Sequence, residues 1–69
     1  MTVHYVGILP SGRGLYRKVF PGAAGYCAAD ELVTSENWGD YAWWTAETEW
    51  VQLWLRTVKK EAGSATNPL

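Results

Sequence analysis

Hydrophobic and polar positions change their period twice along this chain. From Thr2 to Leu9 the β-branched and aromatic residues Val3, Tyr5, Val6 and Ile8 predict a strand that stops at Pro10-Ser11-Gly12. From Gly14 to Phe20 a second run predicts another strand, closed by Pro21-Gly22. Between them, Pro10 fixes φ and Gly12 tolerates a positive φ, which is turn chemistry. The two runs predict an antiparallel hairpin over residues 2–20. In the second, Leu15, Arg17 and Val19 share one face and Tyr16, Lys18 and Phe20 the other, and neither face is cleanly apolar.

The pattern then loosens. Residues 23–35 are rich in alanine, the best helix former, with Tyr26, Ala29 and Val33 at i, i+3 and i+7, and a short helix is expected there. Residues 41–62 contain no Gly, Pro or Asn. At about 100° per residue, Trp43, Trp44, Trp50, Val51, Trp54, Leu55 and Val58 fall on one side of a helix and mostly polar residues on the other. Asp40 or Thr45 would cap its start, and Lys59 and Lys60 would occupy its last turn ahead of Gly63. A strand reading of this segment would need a turn within residues 45–49, which lack turn residues. The expected fold is a small α+β domain in residues 1–63, ordered β-β-α-α, with β-β-α-β-β as the alternative. Residues 64–69 are expected to form a flexible C-terminal tail.

Size narrows the options. Sixty-nine residues make one domain, and a domain this small hides only about 60% of the surface its unfolded chain exposes. A deep enclosed active site is therefore not expected, and the protein reads as a non-enzyme. One cysteine excludes an internal disulfide, so stability must come from packing, self-association or a partner. No targeting segment and no apolar run of membrane-spanning length is visible, so a cytoplasmic location is expected.

The net charge of −1 conceals segregation. Arg13, Arg17 and Lys18 cluster in the predicted hairpin, and Arg56, Lys59 and Lys60 near the C-terminal end. Between them lie Asp30, Glu31, Glu36, Asp40, Glu47 and Glu49 with no base. Catalytic constellations are missing. His4 and Cys27 are the sole residues of their types, Ser11, Ser35 and Ser64 occupy turn, cap or tail contexts, and no spacing fits a metal site or a phosphate-binding loop. No cofactor and no metal is expected.

The aromatic residues carry the strongest signal. Trp38, Trp43, Trp44, Trp50 and Trp54 fall within seventeen positions. A core this small cannot readily hide five indoles together with Tyr5, Tyr16, Tyr26, Tyr41 and Phe20, so some rings are expected at the surface, where Trp and Tyr anchor protein interfaces. The expected partner-binding set is Trp38, Tyr41, Trp43 and Trp44 as anchors, with Glu36, Asp40 and Glu47 steering toward a larger protein that has a basic surface. Small, cysteine-poor and motif-free chains are typical of phage and mobile-element proteins that obstruct a larger host machine, and a steric inhibitor or adaptor is the expected role. Two alternatives remain: a nucleic-acid-binding hairpin using Arg13, Tyr16, Arg17 and Lys18, and a small homodimeric assembly protein.

Overall fold

In a computed structural model, residues 2–60 are described. Three strands, β1 (Val3–Ile8), β2 (Gly14–Phe20) and β3 (Ala23–Ala29), form an antiparallel meander. A short 3-10 helix follows at Trp38–Asp40, then helix α1 (Glu49–Thr57) and a two-residue strand β4 (Lys59–Lys60). The sheet order is β3-β2-β1-β4. The molecule is α+β, but the expected order β-β-α-α is replaced by β-β-β-α-β. The expectations for residues 61–69, including the tail, lie outside the described residues.

Turn chemistry sets the meander. The Gly12 N–H donates to the Leu9 carbonyl, the Leu9 N–H donates to the Arg13 carbonyl, and Gly12 sits at φ +94. Such a three-residue loop with a left-handed glycine closes hairpins in the sense of the sheet twist. Pro21 and Gly22, the latter at φ +86, join β2 to β3, whose register begins with Phe20 opposite Ala23. That two-residue turn explains why residues 23–35 are not a helix. Alanine's helix preference is worth only tenths of a kcal/mol per residue, and the turn delivers the chain alongside β2 with a full ladder to make. Small side chains at alternate positions then serve the sheet: Gly25, Cys27 and Ala29 are buried on one face.

A bulge in β1 assigns the faces. Tyr5 lies opposite Tyr16, but Gly7 lies opposite Leu15, so Val6 is the extra residue. Tyr5 thereby joins Tyr16, Lys18, Phe20, Gly25 and Cys27 on one face, and Gly7 and Leu9 join Leu15 on the other. Segment 33–43 covers the first face, where Tyr16, Cys27, Ala29 and Val33 form a core with Val3, Trp38, Tyr41 and Trp43 packed on it. Trp44 then bridges to Tyr26, on the β3 edge, through two backbone hydrogen bonds, at 2.8 and 2.9 Å.

From that edge the chain crosses the second face as α1 and reaches the β1 edge as β4, where Gly7 and Ile8 pair with Lys60 and Lys59. Val58 packs on Gly7, and Leu53, Trp54 and Thr57 share a cleft with Leu9 of the first turn. Leu15 and Val51 are fully buried. The helix is shorter than the expected 41–62 at both ends. Its N-cap is Thr48 rather than Asp40 or Thr45, because residue 44 is already engaged as extended chain on Tyr26. It ends at Thr57 because Val58 turns extended to feed β4.

Candidate functional site

The loop between β3 and Trp44 is held by short-range polar contacts. Asn37 Oδ1 accepts from the Thr34 N–H at 2.7 Å, its Nδ2 donates to the Leu32 carbonyl at 3.0 Å, and the Glu36 N–H donates to Thr34 Oγ1 at 3.1 Å. These side-chain bonds replace a backbone ladder and fix the approach of Trp38. Trp43 Nε1 donates to the Trp38 carbonyl at 2.9 Å. Two tyrosines tie the other side of the loop down. Tyr16 Oη donates to the Glu31 carbonyl at 3.3 Å, and Tyr41 Oη donates to the Glu31 carboxylate. That hydrogen bond, with burial and the charges of Glu31 and Asp40 behind it, pushes the Tyr41 hydroxyl up to about 12.

Beneath this loop lies Lys18, which is 0% exposed. Its Nζ stands 3.7 Å from the centre of the Phe20 ring and 4.3 Å from that of Trp38, and it has no hydrogen-bond partner among the described residues. Phe20 meets Trp38 and Trp43 edge-on, at 6.0 and 6.1 Å between centroids. Among the described residues, what the ammonium meets is the faces of the Phe20 and Trp38 rings. Gly25, opposite Lys18 in the ladder, permits this packing: a Cβ there would come within 3.0 Å of Trp43 Cβ and 3.1 Å of Phe20 Cε1.

The structure divides the expected partner-binding residues. Glu36, Asp40 and Glu47 are exposed. Trp38, Tyr41 and Trp43 are half-buried against the first core. Trp43 and Trp44 are neighbours in extended chain and therefore point to opposite faces. Trp43 goes to the loop side, and Trp44 stacks edge-on with Trp50 of α1 at 4.8 Å. The nucleic-acid set is also divided. Tyr16 and Lys18 are buried, so they do not present a ring or a charge to a phosphate backbone, and Arg13 is 3.5 Å from Asp30. Arg17 is half-buried beside His4 and Tyr26 on the opposite face.

Two surfaces emerge. The first is an open, mostly apolar cleft of about 370 Å³ at the β3 edge, lined by Phe20, Ala23, Ala24, Gly25, Trp43 and Thr45. Asp40 and Glu47 flank its Trp43–Thr45 wall in sequence. The second is the outer side of α1, where Trp50 is 45% and Leu53 54% exposed, next to Trp44 at 40%. Leu53 does not belong to the apolar side of the predicted helix, and its exposure agrees with that position.

Other chemistry is not assembled. His4 and Cys27 lie on opposite faces of the sheet, and burial pushes the Cys27 thiol up to about 11. Among the described residues no three His, Cys, Asp or Glu side chains are grouped to hold a metal ion, and no helix is long and apolar enough to cross a membrane. The chain matches no protein-family model, no curated protein and no solved structure.

Proposed function

We propose that this protein is a non-catalytic protein-binding module that acts by occupying a surface of a larger protein, as an inhibitor or adaptor. The observation that supports it is the cleft between Phe20 and Trp43, an apolar opening whose Trp43–Thr45 wall lies in sequence between the exposed acids Asp40 and Glu47. The occupant that suits it is a protein segment carrying an apolar side chain next to Lys or Arg. The side chain fills the cleft, and Glu36, Asp40 and Glu47 meet the basic residues. Two of the hairpin bases do not compete there, since Lys18 is buried on ring faces and Arg13 faces Asp30.

The test is affinity capture after nuclease treatment, with Thr45→Arg and Glu47→Lys as probes. Both positions are exposed, so folding should change by no more than about 0.5 kcal/mol. The expected result is a stoichiometric protein recovered by the native chain, with Thr45→Arg costing about 2 kcal/mol of binding and Glu47→Lys slowing association. Capture that vanishes with nuclease would move the function to Arg13 and Arg17 and overturn the proposal.

A further inference from the structure

The outer side of α1 has a charge pattern that the cleft does not explain. Glu49, Trp50, Leu53 and Arg56 line one shallow groove along the helix. The apolar pair sits in the middle, an acid at the N-terminal end and a base at the C-terminal end. At 1.5 Å per residue, Glu49 and Arg56 stand about 10 Å apart along the axis. A two-fold axis across the helix between residues 52 and 53 exchanges Glu49 with Arg56 and so places Glu49 of each copy against Arg56 of the other. Each Trp50 then lies about 3 Å along the axis from the opposing Leu53. Trp44 stiffens the patch, since its edge-on contact holds Trp50 in place.

We infer that α1 is a homodimer interface, with a second copy of this chain packed antiparallel on Trp50 and Leu53 and two reciprocal Glu49–Arg56 pairs at its ends. Self-complementarity is what identifies the occupant. An isologous contact needs a patch that matches itself after a half-turn, and an acid–apolar–base order along one helix does so. A heterologous partner would require no such symmetry. The contact area of one nine-residue helix is modest, so the dimer belongs to the weak class that buries less than about 1,200 Å². It forms at micromolar concentrations or above.

Sedimentation equilibrium of the purified chain over a wide micromolar range tests this. The expected result is a reversible monomer–dimer equilibrium that Leu53→Asp abolishes. Glu49→Arg and Arg56→Glu each place two like-charge pairs in the homodimer and should weaken it about tenfold. Mixed together, the two variants regain both complementary pairs, and association should return to near the native level. Circular dichroism confirms that each variant keeps its helix. If a helix-end reversal unfolds, the Leu53→Asp result and the salt dependence of the native dimer decide. A native chain monomeric throughout, a dimer indifferent to Leu53→Asp, a salt-independent dimer, or a mixture of folded variants that fails to associate would each overturn the inference.

Discussion

Lys18 shows how far a single residue can depart from its sequence context. Between Arg17 and Val19, in a strand with no cleanly apolar face, it reads as a solvated base. It is instead the largest fully buried side chain among the described residues, with Phe20 and Trp38 against its ammonium. Two effects oppose each other there. Ring attraction contributes up to about 2 kcal/mol when desolvated, whereas removing an ammonium from water without a hydrogen-bond partner costs several kcal/mol. The second is larger. Lys18→Met, which keeps the unbranched stem and drops the charge, should therefore raise stability by about 1 kcal/mol in urea unfolding. Lys18→Ala should lose about 3 kcal/mol, because the rings would face a cavity. A Met variant that is less stable than the native chain would show that the cation–ring contacts outweigh desolvation.

Elements were legible to the extent that local turn chemistry defines them. Strands 2–9 and 14–20 and both glycine turns are visible because Pro10, Gly12, Pro21 and Gly22 act locally. The alanine content of residues 23–35 predicts a helix because it reports helix propensity, whereas the neighbouring β2 decides pairing and makes Ala23–Ala29 a strand. The helix expected over 41–62 exceeds the observed Glu49–Thr57, because no residue inside 41–62 marks where β4 begins. That boundary is set at a distance by Gly7. A Cβ on Gly7 would collide with the Lys59 carbonyl oxygen and come within 2.9 Å of Val58 Cγ2. Gly7→Ala should accordingly cost about 1–3 kcal/mol in denaturant unfolding by forcing β4 off the edge. Gly39→Ala, where nothing lies within 4 Å, should cost far less, and equal losses at the two positions would remove this account of the helix end.

At the scale of the whole molecule, one sheet carries a small core on each face; Trp44 bridges to Tyr26 on the β3 edge, and the two-residue β4 pairs with Gly7 and Ile8 of β1 to form the other edge. Very short edge strands resist strand-to-strand aggregation. The stability of such a thin structure should respond to alkali. Cys27 is raised from 9.0 to about 11, so the folded chain holds that proton more tightly than the unfolded one. Its contribution is complete below pH 9 and is lost as pH rises toward 11. Urea unfolding at successive pH values should show stability declining across that window, and the Cys27→Ala variant should decline less. Identical slopes would mean that the thiol is not desolvated in the folded state. The candidate site was legible only in part. Its acids and its aromatic excess are plain in the sequence, but Trp43 and Trp44 could not be told apart while their segment was read as helix.

By itself, the sequence determined the first two strands, the turns, the existence of a C-terminal amphipathic helix and the segregation of acids from bases. These depend on side-chain chemistry and on neighbours within a few residues. Only the tertiary structure decided that an alanine-rich segment is a strand, that Trp43 and Trp44 serve opposite faces, that Lys18 is interior, and that α1 stops at Thr57. Each of those outcomes rests on partners far along the chain: β2 for β3, Tyr26 for Trp44, Trp38 for Lys18, and the edge of β1 for the end of α1.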